Sequence, residues 1–240
     1  MNEIRRPRRP PEGGYARGDE TRRKIIEAAI YLFGQHGFAG ASTRDIAARA
    51  GVNAPALQYY FENKEGLYRA CAESLADEAW GAFEPQVARC RAVLEHDSTI
   101  DELIDAFVDL QGAVAGVMFR KGSMQDKRLF LTREQSGGEP AIGSQILRAR
   151  VREPLNRVSI AMLARITRLP EDDPLAVVRM FSLFGQFMPF HFARESTLSM
   201  LGWSEIDGDR IAYLKACIGE QTRVLLAHWR REARKAGNSR

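Results

Sequence analysis

Apolar residues along the chain recur at the three- and four-residue spacing of α-helices, and no stretch keeps the two-residue alternation of a strand. The first predicted helix follows an N-cap at Asp19 and stops at Gly37. Its apolar face is formed by Ile25, Ile26, Ala29, Leu32 and Phe33. The pattern as a whole predicts an all-α protein of about nine helices.

Two short helices separated by a tight turn come next. Ser42 to Asp45 have the form of a capping box, which predicts a helix that ends at Gly51. Asn53 caps a third helix with Pro55 in its first turn, where the missing N–H costs nothing. A longer fourth helix follows a cap at Asn63. Three short helices with this turn between the second and third predict a helix-turn-helix.

The remainder of the chain keeps the helical spacing. Further helices are predicted at about 99–117, 127–136, 142–167, 174–193 and 208–233. Residues 120–127 are predicted to form a loop. Pro170 ends the predicted helix over 142–167.

The charge of the chain is concentrated near its beginning. The formal net charge is +4, and residues 1–64 hold eleven basic and seven acidic side chains, so residues 65–240 are neutral. A basic head on a neutral body favours a polyanionic partner. Residues 1–18 are predicted to be a disordered arm, which either reaches a DNA minor groove or adds only non-specific attraction. Its arginines are Arg5, Arg6, Arg8, Arg9 and Arg17.

Several classes of protein are disfavoured by the residues present. No apolar run is long enough to span a membrane or to form a secretory signal, so we expect a cytoplasmic protein without membrane partners. Cys71, Cys90 and Cys217 are far apart and have no histidines at metal-ligand spacing, which favours buried reduced thiols over a metal site. No phosphate-binding loop, nucleophile elbow or paired His/Glu motif is present, so neither an enzyme nor a cofactor is expected.

The third predicted helix presents two different faces. Leu57 and Phe61 lie four residues apart and are expected to pack inward, whereas Pro55, Gln58 and Tyr59 point away. The Gln58 amide can pair with an adenine edge. Tyr59, Tyr60 and Lys64 are placed to contact phosphates, as are the free N–H groups at the start of the second helix. The expected DNA contacts are Thr43, Arg44, Asn53, Ala54, Pro55, Gln58, Tyr59, Tyr60 and Lys64.

The segment holding these residues resembles the TetR family of bacterial helix-turn-helix transcriptional regulators. The similarity is carried by Thr43–Ala47, Ala50–Asn53 and Ala56–Leu67, with Ala28–Phe33 and Gly37–Phe38 upstream, and covers about residues 18–78. The family usually has an aromatic residue where Gln58 stands, so the base read at this position is expected to differ.

The resemblance implies a one-component regulator, a repressor that binds a palindromic operator in double-stranded DNA as a homodimer and is released by a small-molecule effector. It implies a DNA-binding domain at 19–64, with helix 4 continuing to about 78, and a C-terminal ligand-binding and dimerisation domain at 79–240. Dimerisation would use the last two helices, which carry more aromatic residues than one helix face can bury in a core. The alternative is that these aromatic residues form the ordinary core of a monomer. A ligand-responsive activator and a helical adaptor without DNA binding are the other functions considered.

The effector site is predicted from a polar break, Arg133 to Gln135, in an otherwise apolar pattern. The alternative is that Arg133 and Glu134 form a solvated helix end or a structural ion pair. Candidate ligand contacts are Gln111, Met118, Phe119, Phe130, Arg133, Glu134, Met162 and Phe184. The effector itself is not identified by these residues.

Overall fold

A computed structural model describes residues 13–119 and 124–238, and within these ranges the chain is helical and contains no strand. A π-helical turn, Arg148–Arg152, joins α7 to α8. The helices are α1 (Gly13–Gly40), α2 (Thr43–Ala50), α3 (Ala54–Phe61), α4 (Lys64–Glu95), α5 (Ile100–Met118), α6 (Met124–Ser136), α7 (Ala141–Leu147), α8 (Glu153–Thr167), α9 (Pro174–Gly185), α10 (Met188–Phe192), α11 (Arg194–Leu201) and α12 (Gly208–Asn238). The predicted all-α class is confirmed.

The described residues form two compact units. The N-terminal unit comprises 13–75 and 125–146, and the C-terminal unit comprises 76–119, residue 124 and 147–238. The grouping of 125–146 with the first helices differs from the predicted division, which placed everything after residue 78 in one C-terminal domain.

Helix α1 carries the predicted apolar face but begins earlier than expected. Ile25, Ala29 and Phe33 are at most 1% exposed. Gly37 has φ 71°, a left-handed conformation that glycine adopts without steric cost, and it interrupts the helix at the predicted stop. The helix starts at Gly13, because adding turns to an existing helix costs little. The prediction of a disordered arm is therefore wrong for residues 13–18, and Arg5, Arg6, Arg8 and Arg9 lie outside the described residues.

Predicted helix caps are present along the N-terminal unit. Ser42 Oγ accepts the Asp45 N–H at 3.1 Å, and Asn53 Oδ1 accepts the Ala56 N–H at 2.9 Å. Gly51 ends α2 with φ 68°, which is the left-handed cap expected of glycine. Asn63 Oδ1 accepts the Gly66 N–H at 2.8 Å at the start of α4.

Helices α6 and α7 complete the N-terminal unit by close packing. A Cβ on Gly34 would lie 2.9 Å from the Asp126 carbonyl oxygen, so the absence of a side chain lets α1 approach α6. The Tyr68 ring of α4 lies 5.0 Å from the ring of Phe33 and 4.9 Å from that of Phe130, centroid to centroid. These aromatic contacts bury apolar surface from three helices in one cluster.

The C-terminal unit packs α5 against α8 and α12, and α8 against α9. Leu103, Phe107, Leu110, Met162 and Leu183 form part of its core and are fully buried.

The region predicted as one helix over 174–193 is two helices, α9 and α10. Pro189 has no N–H to donate to the Gly185 carbonyl, which removes a hydrogen bond at the point where α9 ends. Helix α11, which lies between α10 and α12 in sequence, was not predicted.

Candidate nucleic-acid interface

Helices α2 and α3 are joined by a three-residue turn whose hydrogen bonds hold it rigid. The Gly51 N–H donates to the Ala48 carbonyl at 3.2 Å, and the Val52 N–H donates to the Ala47 carbonyl at 3.0 Å. The turn therefore closes directly on α2, and Asn53 begins α3 at once. This arrangement is the predicted helix-turn-helix.

The two faces of α3 divide as predicted. Leu57 and Phe61 are 1% and 5% exposed and anchor the helix against the core of the N-terminal unit. Pro55, Gln58 and Tyr59 are exposed, and Tyr59 retains 84% of its accessible surface. A rigid helix with these side chains facing solvent can enter a groove without reorganising the core.

The DNA contacts expected at the starts of α2 and α3 differ in exposure and in the hydrogen bonds that they already make. Arg44 is exposed in the first turn of α2, beside the half-buried Thr43. Asn53 and Ala54 are exposed, but the Asn53 amide oxygen is bound by the Ala56 N–H. Asn53 therefore offers its amide nitrogen, a donor suited to a phosphate oxygen.

Tyr60 and Lys64 are only partly exposed. The Lys64 ammonium lies 4.6 Å from the centre of the Phe38 ring and 3.5 Å from the Ala39 carbonyl oxygen. The Tyr60 ring packs edge-on against Tyr59, with 5.2 Å between centroids. Both side chains are positioned by the protein, and their contact with phosphates remains a prediction.

A cation that the sequence analysis did not single out braces α2. Arg49 is exposed in the last turn of α2, and its guanidinium carbon lies 3.4 Å from the centre of the Tyr31 ring of α1. Such a cation–π contact holds α2 against α1. The sequence signal was a basic residue at a helix C-terminus, which alone does not reveal the aromatic partner.

Arg133 donates hydrogen bonds to backbone carbonyls next to the helix break in α1. Its Nε donates to the Gly34 carbonyl at 2.7 Å, and its Nη2 donates to the Gln35 carbonyl at 3.0 Å. The helix break at Gly37 leaves such carbonyls without intrahelical partners. On the far side of the break, the Phe38 N–H donates to the Glu139 carboxylate at 2.7 Å.

Glu134 is buried in the N-terminal unit and accepts a hydrogen bond from the Tyr68 hydroxyl. Burial and the neighbouring Glu134 carboxylate raise the pKa of the Tyr68 phenol above its usual range. Arg133 and Glu134 thus have structural partners inside this unit, namely backbone carbonyls and the Tyr68 hydroxyl. Contact of either side chain with an effector remains a prediction.

The eight candidate ligand residues are divided between the units. Phe130, Arg133 and Glu134 belong to the N-terminal unit, and the remaining candidates belong to the C-terminal unit. Gln111 is 1% exposed and both of its polar atoms are used: Nε2 donates to the Leu183 carbonyl at 2.8 Å, and Oε1 accepts from the Thr222 hydroxyl at 2.9 Å.

The other candidates of the C-terminal unit are apolar. Met162 is fully buried, and the half-buried Phe184 lies 5.7 Å from the Phe107 ring. Phe119 and Met118 belong to a separate apolar cluster with Phe187, Ile206, Leu214 and Ile218. Their contact with an effector stays a prediction.

The three cysteines occupy different environments. Cys71 and Cys90 are buried as expected, whereas Cys217 on α12 is half-buried. Burial raises the pKa of the Cys71 thiol and raises that of Cys90 to about 12. Among the helices of the described ranges, none combines the length and apolarity required to cross a bilayer.

Two family profiles match the chain in succession. The profile of the bacterial regulatory proteins of the tetR family matches residues 25–71, which contain the helix-turn-helix. The profile of the C-terminal domain of the HTH-type transcriptional dual regulator CecR matches residues 103–228, more than half of the chain.

Curated relatives match either most of the chain or a smaller share of it. The HTH-type transcriptional dual regulator CecR of Shigella flexneri is 26% identical over 194 residues, covering 81% of this chain and 86% of the relative. The HTH-type transcriptional repressor ComR of Escherichia coli K12 is 27% identical, covering 48% and 65%. The HTH-type transcriptional activator FasR of Mycolicibacterium smegmatis is 30% identical, covering 44% and 49%.

Solved structures have the same fold. A TetR-family transcriptional regulator from Bordetella parapertussis superposes with a TM-score of 0.57 at 21% identity, covering 84% of this chain and 93% of that one. The regulator FadR from Bacillus subtilis, crystallised with stearoyl-CoA, gives 0.53 at 15% identity, covering 83% and 96%. The chain belongs to the TetR family of bacterial transcriptional regulators and carries a C-terminal domain of the CecR type.

Proposed function

We propose that two copies of this regulator bind a palindromic operator and repress transcription until a small-molecule effector releases them. The observation that carries the proposal is the outward face of α3, where Gln58 and Tyr59 are exposed above a buried Leu57. Exposed polar side chains on the outward face of a recognition helix are suited to base edges and phosphates.

Sequence reading is assigned chiefly to Gln58. Its side-chain amide has a donor and an acceptor side by side, which matches the N6 and N7 positions of adenine in the major groove. Tyr59, the most exposed aromatic residue of α3, is assigned to the phosphate backbone together with Lys64. The free N–H groups at the start of α2, next to Arg44, suit another phosphate.

Dimerisation is assigned to α9 and α12, which present apolar side chains to solvent. On α9 the exposed residues are Leu175, Val178 and Phe181, spaced three apart and 42–62% accessible. On α12, Tyr213 and Val224 are 60% and 61% accessible. A helix face with this many exposed apolar residues favours a protein interface.

A second copy is the occupant that fits this surface. Both faces belong to the same unit, and a two-fold axis through such a self-complementary surface gives a closed dimer. A two-fold dimer presents two α3 helices, which is why we expect the operator to be palindromic.

Activation of transcription is the second candidate, because relatives include a dual regulator and an activator beside a repressor. The two outcomes share the same DNA contacts. They differ in where the operator lies relative to the promoter, since repression follows when the bound dimer covers the polymerase site.

The test combines selection of bound genomic fragments with sedimentation of the purified chain. We expect one palindromic motif, and a dimer that Phe181→Glu converts to monomer. Ala88→Glu, which adds the same charge at an exposed position of α4, is the matched control and should leave the dimer intact. A wild-type monomer, or a chain that ignores duplex DNA at low salt, would contradict the proposal.

A further inference from the structure

We propose that Glu139 and Arg133 are positioning residues for operator binding. They hold α1 open at Gly37 and thereby fix the short connection that supports Lys64. All of these residues belong to the N-terminal unit. The proposal deepens the proposed function and rests on it, because it concerns how the phosphate contact assigned to Lys64 is aimed.

The two side chains replace both halves of one missing helical hydrogen bond. In a continuous α-helix the Phe38 N–H would donate to the Gly34 carbonyl, four residues earlier. Here the Phe38 N–H donates to Glu139 Oε2 at 2.7 Å. The Gly34 carbonyl accepts instead from Arg133 Nε at 2.7 Å, and Arg133 Nη2 donates to the next carbonyl, that of Gln35, at 3.0 Å. A carboxylate and a guanidinium thus satisfy the groups that the break leaves open.

The backbone at Gly37 accommodates both side chains. Gly37 is buried with φ 71°, and a Cβ added to it would lie 2.9 Å from Glu139 Oε1 and 3.4 Å from Arg133 Nη1. Glycine is therefore required both for the left-handed conformation and for the close approach of these groups. Without Glu139 and Arg133, the freed N–H and carbonyl can pair with each other, and α1 would continue through residue 37.

Both residues that support Lys64 follow the break directly. The Lys64 ammonium lies 4.6 Å from the centre of the Phe38 ring and 3.5 Å from the Ala39 carbonyl oxygen. The Ala41 N–H donates to the Gly37 carbonyl at 3.1 Å, so the connection to α2 follows the conformation at residue 37. A straightened α1 would carry Phe38 and Ala39 away from Lys64. The ammonium would then lose both supports and, with them, the orientation in which it meets a phosphate.

Titration of a labelled operator duplex, taken from the genomic selection, with full-length Glu139→Leu tests the proposal at several salt concentrations. We expect binding to weaken about fivefold at ~0.15 M salt and the salt slope to fall by about one unit, the share of one phosphate contact. Removal of an acid by itself would strengthen binding to a polyanion, so simple electrostatics predicts the opposite sign. Glu84→Leu, which removes an exposed carboxylate from α4, is the matched control and should not weaken binding.

Further variants separate positioning from charge. Glu139→Gln keeps an oxygen that accepts the Phe38 N–H and should retain most of the affinity. Arg133→Met changes the net charge in the opposite sense to Glu139→Leu, yet should weaken binding and flatten the salt slope in the same way. On a Lys64→Ala background Glu139→Leu should add little, because the contact that it disturbs is already gone, whereas on Gln58→Ala it should keep its full effect.

Each variant is also titrated at stoichiometric DNA concentration, because misfolding lowers the active fraction but leaves the salt slope of the folded molecules unchanged. Gly37→Ala disfavours the left-handed conformation, so it removes the break from the backbone side and should reproduce the fall in slope without altering either charged residue.

An unchanged salt slope in Glu139→Leu, Arg133→Met and Gly37→Ala would overturn the proposal, as would a full effect of Glu139→Leu on the Lys64→Ala background. Either result leaves the proposed function standing as long as the wild type binds its operator. A wild-type chain that binds no duplex refutes the proposed function, and this inference falls with it.

Discussion

Replacing Gln111 by leucine should destabilise the C-terminal unit because its amide links three helices. Gln111 on α5 donates to the Leu183 carbonyl near the end of α9 and accepts from the Thr222 hydroxyl of α12. All of this lies in the core, since Gln111 is 1% and Thr222 0% exposed. Leucine has a similar volume, so the change removes the two hydrogen bonds and creates little cavity.

The magnitude follows from the groups left behind. A buried donor or acceptor that loses its partner costs about 1–3 kcal/mol, and the variant leaves one carbonyl and one hydroxyl unpaired. Removing the buried amide itself offsets part of this cost. We therefore expect Gln111→Leu to lower the free energy of unfolding by about 2–4 kcal/mol.

The assay is urea unfolding followed by circular dichroism, with all variants at one protein concentration because dimers are stabilised by mass action. Gln86→Leu is the matched control: the Gln86 oxygen has no partner among the described residues, so its loss should be neutral or stabilising. Thr222→Val should add less to Gln111→Leu than it costs alone, since the shared bond is already gone. Equal stabilities for Gln111→Leu and wild type would refute the assignment.

Three further predictions address DNA binding and thiol chemistry. Gln58→Ala should cost about 1–3 kcal/mol on the preferred operator and relax preference at one base pair, measured by binding to operator variants; uniform weakening would make Gln58 a positioning residue. Lys64→Ala should weaken binding to every sequence and reduce the salt slope by about one unit, and an unchanged slope would remove it from the phosphate contacts. Cys71 and Cys90 should resist a thiol reagent near neutral pH, because burial keeps them protonated; rapid modification of either thiol in the native protein would contradict this.

Local sequence signals predicted the helix-turn-helix well. The caps at Ser42 and Asn53 bond to an N–H three residues away, so the residues that form them are visible together in the sequence. The inward Leu57 and outward Gln58 follow from helix periodicity alone. Gly37 and Gly51 also predicted helix ends, because glycine adopts the left-handed backbone conformation that ends a helix without a steric cost.

Contacts distant in sequence decided what the local pattern left open. In the sequence, Arg133 is only a polar interruption of an apolar helical pattern. Its hydrogen-bond partners, the carbonyls of residues 34 and 35, lie about a hundred positions earlier in the chain. The Glu139 carboxylate meets the Phe38 N–H across a similar separation. Hydrophobic periodicity does not reveal such a pairing, so the sequence alone did not group 125–146 with the first helices.

The amino-acid order by itself determined where helices start and stop and which side of each is apolar, since those properties depend on neighbours within one or two turns. Tertiary structure alone decided which polar groups are satisfied. Gln111 and Gln86 are the same residue in similar helical surroundings, yet Gln111 links three helices, whereas the side-chain oxygen of Gln86 is buried without a described partner. The difference arises because a hydrogen bond depends on the position of a second group, which packing supplies.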